Sequence, residues 1–442
     1  MRVPLAFPQH LLRFLDVLHP GQAAGASFVI SAAYRLTGPV DDELLRLAVD
    51  DVTARHDALR STLQNKAREA SESGGWGEGE GLPWQEIADP LPGRLQVIEV
   101  ADPDDWLDEL DTLDHPGDVP PLLWVYYARL GPADGVLALV AHHSAADAWS
   151  MDLLIQDLAR CYTARRVGEL LPIVASSTYA DFAVADQARR DSPQSIRAID
   201  YWSEKLAEVS VSSLPTDRPR RLKDDGVRAQ LRFALDPGLA ARLTATGRRT
   251  RCSPFMVHLT AYALTLHRLT GSTDITVPTL TSGRGRTELD GTVGFFLNAL
   301  LLRTDLTGNP SAQEVLARVR ATCLDAYRNE LPVLRLLEEV PDAGLLLADE
   351  SFLLLPFQHI PVQPRKTRTF GPDTTYVSFD RRPGPRPHGV AVPLDGLWTI
   401  DQHAPDQLTA KISYTPGLFD SHTIQSYANT YLDCLLQLTP TN

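Results

Sequence analysis

Two adjacent histidines, His142 and His143, and an aspartate shortly after them, Asp147, are the residues of this chain best suited to proton-transfer chemistry. They follow an apolar run at residues 135–140, typical of a buried strand. They precede residues 151–165, where apolar side chains recur at helical spacing. A loop between a strand and a helix exposes reactive groups on a rigid scaffold. Because imidazole titrates at about 6.5, a histidine there can accept and release a proton near neutral pH.

The residue types alone leave the roles of these side chains open. Neighbouring residues on a strand point to opposite faces, so one of the two histidines can face a channel. The apolar run before them does not indicate which one. Either histidine by itself is also compatible with a packed core residue. Asp147 is compatible with an N-cap of the following helix or with a surface acid. A serine-hydrolase triad is not indicated, since Ser144 lacks a nucleophile-elbow context.

Hydrophobic periodicity and capping residues predict the elements around this motif. At 442 residues the chain is long enough for two lobes. Helices are predicted at residues 41–55 (capped by Asp41 or Asp42), at 179–206 as a joint between the lobes, and at 253–269. Strands are predicted at residues 95–100, 122–130, 135–143, 227–234, 274–280 and, within a Pro-rich tract of loops at 361–393, at 375–379.

The segment from His142 to Ser150, which reads His-His-x-x-x-Asp-x-Trp-Ser, resembles the active-site motif of the condensation domains of non-ribosomal peptide synthetases. These domains belong to the chloramphenicol acetyltransferase-like superfamily. Further segments are similar to the family's in the same order, at residues 55–61, 178–183, 283–284, 293–300 and 414–420. The chain departs from the family at Ala148, where the family has glycine.

The resemblance implies an α/β (α+β) fold with two chloramphenicol acetyltransferase-like lobes. Each lobe would be a mixed sheet flanked by helices. The two would be arranged as a V with an active-site tunnel between them. The N-terminal lobe, residues 1–175, would carry the His-His-x-x-x-Asp motif. The C-terminal lobe, residues 176–442, would carry the Gly-Arg pair at 283–284 and the Val-Gly-Phe-Phe-Leu-Asn segment at 293–298.

The resemblance also assigns roles within the motif. His143, the second histidine, would act as the base or as a positioning group, and His142 would be mostly structural. Asp147 would be a buried carboxylate paired with an arginine from the other lobe, Arg284, and the pair would fix the loop that holds His143. No proton-transfer role falls to Asp147.

Four further residues are expected to support the site. The backbone N–H of Ala148 would lie at a helix N-terminus, where free amides favour developing negative charge. Its methyl group would narrow the site slightly compared with the family's glycine. Trp149 and Ser150 complete the motif. Asn298 would lie near the interface between the lobes, although a turn or strand-end asparagine fits its position equally well.

The function implied is that of a free-standing condensation enzyme in natural-product biosynthesis. It would join a carrier-tethered acyl or aminoacyl group to a small-molecule amine or, less often, a hydroxyl. The chain would bind no metal or redox cofactor. The phosphopantetheine arm would belong to an acyl or peptidyl carrier protein met in trans. One alternative is a coenzyme A-dependent acyltransferase of the same superfamily. Another is a non-catalytic module that recruits carriers or enzymes, which Ala148 favours modestly.

Composition limits the remaining function classes. A formal net charge of -14 argues against a general nucleic-acid binder. No apolar run is long enough to cross a bilayer, and the N-terminus does not resemble a signal peptide. The four scattered cysteines indicate core thiols and a cytoplasmic location. Arginine clusters at 218–221 and 381–386 fit solvated loops or, alternatively, a docking patch for an acidic protein partner.

Overall fold

The computed structural model describes residues 1–18, 25–26, 28–64, 83–171, 177–210, 213–219, 229–348, 353, 355–361, 366–379, 381–382, 395–404 and 406–439. The strands of these residues, in chain order, are β1 (Arg2–Pro4), β2 (Val29–Thr37), β3 (Ser61–Gln64), β4 (Trp84–Ile87), β5 (Arg94–Glu99), β6 (Leu123–Gly131), β7 (Asp134–His142), β8 (Ala229–Ala234), β9 (Asp274–Thr281), β10 (Asn298–Asp305), β11 (Phe357–Pro361), β12 (Arg368–Gly371), β13 (Thr374–Ser378), β14 (Gly396–Ala404) and β15 (Gln407–Tyr414). The helices are α1 (Phe7–Leu18), α2 (Asp42–Arg55), α3 (Pro103–Leu110), α4 (Ala148–Arg166), α5 (Tyr179–Ala188), α6 (Pro193–Lys205), α7 (Pro237–Thr250), α8 (Pro254–Thr270), α9 (Ala312–Arg328), α10 (Val333–Glu339), α11 (Pro341–Ala348) and α12 (Ser421–Gln437).

The first of two compact units contains the predicted motif and comprises Met1–Arg190, Ser282–Leu297 and Arg365–Pro393. Its main sheet has six strands in the order β12-β13-β2-β7-β6-β5. The pair β5–β6 is parallel and the other pairs are antiparallel. Every residue of β7 after Asp134 is buried, because this strand lies inside the sheet and helices α2 and α4 pack nearby. A smaller antiparallel sheet has the order β1-β4-β3.

The second unit comprises Asp191–Thr281, Asn298–Pro364 and Leu394–Asn442. Its larger sheet has the order β11-β14-β15-β8, in which β11 and β14 are parallel, and β9 and β10 form an antiparallel pair. Helix α8 is the centre of its core: Met256 through Leu266 are all buried, and α8 packs against α7, α9 and α12. Both units are therefore mixed sheets flanked by helices, which confirms the predicted fold class.

Most predicted elements lie within a residue or two of their expected positions, and Asp41 caps α2 by accepting a hydrogen bond from the N–H of Leu44 at 3.0 Å. The single helix predicted at residues 179–206 is wrong. It is two helices, α5 and α6. Ser192 caps α6 by accepting a bond from Ser195, and Pro193, in the first turn, has no N–H with which to continue α5.

The sequence predicts one boundary between the lobes, at residues 175 and 176, and both of these residues lie outside the described residues. In the structure the first unit extends to Arg190, and two later segments of the chain also belong to it: one that follows β9 and one that contains β12 and β13. Strand β13 pairs with β2, and residues 282–297 bind the start of α4. Arg284, expected from the other lobe, consequently belongs to the same unit as Asp147.

Candidate functional site

The motif occupies the turn that joins β7 to α4. Strand β7 ends at His142 and helix α4 begins at Ala148. The N–H of Ala145 donates to the carbonyl of His142 at 2.9 Å, and the N–H of His143 donates to the carbonyl of Phe28 at 2.8 Å. The chain therefore reverses direction immediately after the buried strand, and His143 lies at the reversal.

His143 has one ring nitrogen bound and one free. Its Nδ1 lies 2.8 Å from the carbonyl oxygen of Ala146. Because a carbonyl can only accept a hydrogen bond, Nδ1 carries the proton and Nε2 carries the lone pair of the neutral ring. Nε2 has no hydrogen-bond partner among the residues that the structure describes. The ring of Phe28 stacks on the imidazole with centroids 4.9 Å apart, and Phe295 meets it edge-on at 5.3 Å.

Burial of the His143 ring lowers its pKa, and this outweighs the backbone hydrogen bond to Ala146 and the charge of Asp147, which both raise it. The imidazole is consequently neutral at neutral pH. A neutral imidazole with Nε2 free is a competent base.

His142, in contrast, has both nitrogens occupied. Nε2 lies 3.2 Å from the carbonyl oxygen of Gly25 and therefore donates, so Nδ1 accepts from the hydroxyl of Ser144 at 2.7 Å. The side chain is buried, and burial lowers its pKa to about 4. Gly117 approaches the ring so closely that a Cβ there would lie 2.4 Å from Nε2. These contacts fit the structural part that the resemblance implies for His142.

Asp147 forms the expected ion pair with Arg284. Nη2 of Arg284 donates to Oδ1 and Oδ2 at 3.1 and 3.2 Å, and the two side chains are only 2% and 3% exposed. Asp147 is also the N-cap of α4, since Oδ1 accepts from the N–H of Ser150 at 2.8 Å. The N-cap and buried-pair interpretations are thus both right, and that of a surface acid is wrong. With its oxygens occupied in this way, Asp147 makes no hydrogen bond to His143.

Ser150 and Gly294 connect this pair to the segment at 282–297. The Ser150 hydroxyl donates to Oδ1 of Asp147 at 2.8 Å and accepts from the N–H of Gly294 and from Arg284, both at 3.0 Å. The N–H of Asp147 donates to the carbonyl of Gly294 at 3.1 Å. A Cβ at position 294 would lie 2.0 Å from the ring of Tyr179, so this close approach requires glycine. Gly294 and Tyr179 lie within the segments that resemble the family's, at 293–300 and 178–183, but the sequence pattern alone indicates no role for either residue.

Arg284 is held by more than the carboxylate. Nη1 donates to the carbonyls of Leu289 and Thr292 at 2.6 and 2.8 Å, and the guanidinium lies 3.9 Å from the ring centroid of Phe296. Trp149 contacts the same segment, since its Nε1 donates to the carbonyl of Asp290 at 2.9 Å, and the residue as a whole is 46% exposed. The start of α4 and residues 282–297 therefore form one tightly bonded substructure.

Ala148 is the first residue of α4 and is exposed. Its backbone is right-handed helical, so the position does not require the glycine of the family for conformational reasons. Its N–H has no acceptor among the described residues. At a helix N-terminus such an amide favours negative charge.

Asn298 lies at the start of β10, paired with Thr281. Its side chain donates to Glu330 and to the carbonyl of Leu331 at 3.1 and 3.0 Å, and it accepts from the N–H of Val333 at 3.0 Å. All of these partners belong to the second unit. The contacts favour the strand-end interpretation of this residue.

Several arginines of the two basic clusters are neutralised within the chain. Arg218 pairs with Asp420. Arg381 pairs with Asp108 and Asp111, and Arg382 pairs with further carboxylates at the start of α3. For these three residues the contacts favour a role within the chain over the docking-patch interpretation, because acids of the same chain already match their charges. Residues 220–221 and 383–386 of the clusters lie outside the described residues.

The four cysteines are buried and free, which confirms that they are core thiols. Within the described ranges, no three or more His, Cys, Asp or Glu side chains are grouped so as to hold a metal ion. No helix there is long and apolar enough to span a membrane.

Comparison with known proteins gives consistent matches along the whole chain. A family model described as Condensation domain matches residues 2–441. The chain is 32% identical over 463 aligned residues to the probable non-canonical nonribosomal peptide synthetase CymA of Salinispora arenicola. This alignment covers 98% of this chain and 5% of CymA. It is 34% identical over 351 residues to the phosphinothricin tripeptide synthetase PhsC of Streptomyces viridochromogenes, covering 76% and 31% respectively. The chain thus spans less than a third of these curated relatives.

Solved structures match over nearly the full length. SgcC5 of Streptomyces globisporus superposes with a TM-score of 0.85 at 32% identity, covering 98% of this chain and 97% of that one. The X-domain from teicoplanin biosynthesis gives a TM-score of 0.79 at 25% identity, with coverages of 99% and 95%. The first condensation domain of the calcium-dependent antibiotic synthetase, at 20% identity and a TM-score of 0.74, supports the fold.

Proposed function

Because this chain belongs to the condensation-domain family of non-ribosomal peptide synthetases, we propose that it condenses a carrier-tethered acyl thioester with an amine or hydroxyl acceptor, using His143 as the base. One observation carries the proposal. The Nδ1–H of His143 is bound to the Ala146 carbonyl, which leaves Nε2 as a free, unprotonated nitrogen on a neutral ring.

The reaction requires this nitrogen twice. As the acceptor's nitrogen or oxygen bonds to the thioester carbon, Nε2 takes the proton of the nucleophile and an oxyanion forms. When the tetrahedral intermediate collapses, the C–S bond breaks and the imidazolium returns the proton to the leaving sulfur. The sulfur belongs to the phosphopantetheine arm of the carrier protein, so the chain itself needs no cofactor.

The negative charge on the carbonyl oxygen needs stabilisation during this step. The N-terminus of α4 offers the N–H of Ala148, which is free within the described chain, together with the helix dipole. The alanine methyl group removes no donor from this position. Ala148 is therefore compatible with catalysis.

Two observations bear on the acceptor and on an alternative function. The SgcC5 structure contains a naphthyl-substituted 1,2-ethanediol, which supports including hydroxyl acceptors beside amines. The X-domain was solved in a complex with OxyB, and this supports a partner-recruiting function as the second candidate. The free Nε2 of His143 favours catalysis, since a recruiting module has no use for a poised base.

The test is intact-mass analysis of carrier proteins from the same biosynthetic system after incubation with this chain. We expect a loaded donor carrier to lose its acyl group and the acceptor to gain it, with the His143→Ala variant giving little product. Parallel reactions with acyl-coenzyme A distinguish the soluble-thioester alternative. Carrier or enzyme binding without any product, from parent and variant alike, would establish the recruiting function instead.

A further inference from the structure

Strand register places Phe28 against the candidate base. Strands β2 and β7 are antiparallel, and the last pair in their register is Val29 with His142. The next step along the two chains brings Phe28 opposite His143. The backbone continues the ladder there, since the N–H of His143 donates to the carbonyl of Phe28 at 2.8 Å. Residues directly opposite in antiparallel strands project from the same face, so the two side chains must meet.

The meeting of the two rings is a close stack. Their centroids are 4.9 Å apart and their planes differ by 23°. Phe295 covers a second side of the imidazole. The centroids of these two rings are 5.3 Å apart and their planes are nearly perpendicular. Phe28 is itself held, because it is 3% exposed and packs in a cluster with Leu12 of α1 and Phe295. A ring fixed in this way restricts the plane that the imidazole can adopt.

Two side-chain torsions determine where Nε2 of His143 points. The hydrogen bond from Nδ1 to the Ala146 carbonyl restrains the imidazole at one edge. A single hydrogen bond still allows the imidazole to rotate about the line of that bond. Stacking on Phe28 removes that freedom. We infer that Phe28 is a positioning residue that fixes the imidazole of His143 so that Nε2 keeps one direction. The inference rests on the proposed function, because it gives the base of that reaction its orientation.

The same stack excludes water from one face of the imidazole. Loss of the Phe28 ring admits solvent, which favours the charged form and moves the pKa of His143 upward toward the ordinary histidine value. A substitution that leaves the aromatic cover of His143 in place is expected to leave the pKa of the imidazole unchanged. The direction of this shift separates a positioning role from a merely structural one.

The experiment compares Phe28→Leu with Phe28→Met and with Phe370→Leu as the matched control. Phe370 is a buried phenylalanine of the same unit, and its ring packs against Tyr162 and Tyr376 in a different cluster from that of Phe28. The imidazole titration of His143 is followed by NMR in substrate-free, histidine-labelled protein, and its signal is assigned by its absence from His143→Gln. The pH dependence of kcat and KM is measured for each variant with loaded carriers.

We expect both Phe28 variants to raise the titration midpoint of His143 and to lower kcat roughly tenfold or more with little change in KM, as for a misplaced catalytic group. Phe370→Leu should leave the midpoint in place. An unchanged midpoint and kcat in folded Phe28→Leu and Phe28→Met overturns the inference. The titration needs no turnover, so an inactive parent whose His143 midpoint still moves in the Phe28 variants contradicts the proposed function alone.

Discussion

The buried pair of Asp147 and Arg284 allows the clearest quantitative prediction. In Asp147→Ala the guanidinium of Arg284 loses its counter-charge while only 2% exposed. Removing one partner of a buried ion pair leaves the other charge unpaired and lowers the free energy of unfolding by about 3–5 kcal/mol. Arg284 keeps the carbonyls of Leu289 and Thr292 as acceptors, which favours the lower end of that range. Loss of the N-cap on α4 adds about 1 kcal/mol, so the total is about 4 kcal/mol.

A double-mutant cycle separates the pair from the cap. In Arg284→Met the carboxylate is the orphan, and in the double variant neither charge remains. The double variant should therefore be more stable than the sum of the single losses indicates, with a coupling energy of about 2–3 kcal/mol. The matched control is the pair of Arg303 and Asp274, whose side chains are 21% and 30% exposed. Solvent reaches both side chains of this control pair, and such pairs contribute about 1 kcal/mol or less to the free energy of unfolding.

Native-state hydrogen exchange in increasing urea measures both cycles, because it reports the free energy of opening for α4 and for β9 separately. A coupling energy for Asp147 and Arg284 no greater than that of the control pair would refute the reasoning. It would mean that the substructure at the start of α4 is held by its neutral hydrogen bonds alone.

The remaining predictions concern three residues of the motif. His143→Ala should lower turnover roughly 100-fold or more while leaving the Tm within a few degrees; a fully active variant removes His143 from the mechanism. Because burial lowers the pKa of His143, the acid limb of the pH–rate profile should lie below the ordinary histidine value of about 6.5, and a limb above that value contradicts the neutral-base assignment. For His142, whose folded pKa is about 4, the unfolded chain takes up the proton first as pH falls. About 3 kcal/mol of stability, present in full above about pH 6.5, should be lost by pH 4. Between about pH 6.5 and pH 4 the free energy of unfolding of a His142→Gln variant should change less than that of the parent. Parallel plots of the free energy of unfolding against pH for the two proteins would count against the lowered pKa of His142. Ala148→Gly should remain active, whereas Ala148→Leu should slow condensation with little change in Tm because the side chain is exposed; a leucine variant as fast as the parent places position 148 away from the substrate.

The motif and its local setting could be predicted because they depend on short-range patterns. A buried apolar run, two histidines and a helical periodicity predict a strand, a turn and a helix. Strand β7 lies within one residue of its predicted bounds, whereas α4 begins three residues before the apolar periodicity at 151–165. The capping role of Asp147 follows from the same local logic. Its pairing with Arg284 came from the resemblance, since nothing local connects residues so far apart in the chain.

Long-range register could not be predicted in this way. No pattern in residues 282–297 indicates that they bind the start of α4, and none in residues 374–378 indicates pairing with β2. The stack of Phe28 on His143 depends on where β2 and β7 end relative to each other. Gly294 offered the one available signal, a glycine before two phenylalanines, but only the structure shows that the ring of Tyr179 fills the space of a side chain there.

The bonding around His143 explains how a histidine near an aspartate remains neutral, as the proposed base must be. In a serine-hydrolase triad the carboxylate binds the imidazole directly and stabilises its charged form. Here Nδ1 donates to a neutral carbonyl, that of Ala146, while Asp147 directs its oxygens to Arg284 and Ser150. Two features therefore act in the same direction: the ion pair offsets the carboxylate's charge, and the aromatic cover of Phe28 and Phe295 excludes water. In the proposed reaction, an imidazolium formed in these surroundings would be poorly stabilised and would therefore return its proton readily to the leaving sulfur. A condensation reaction requires this balance, because the same nitrogen must take the proton and then give it up.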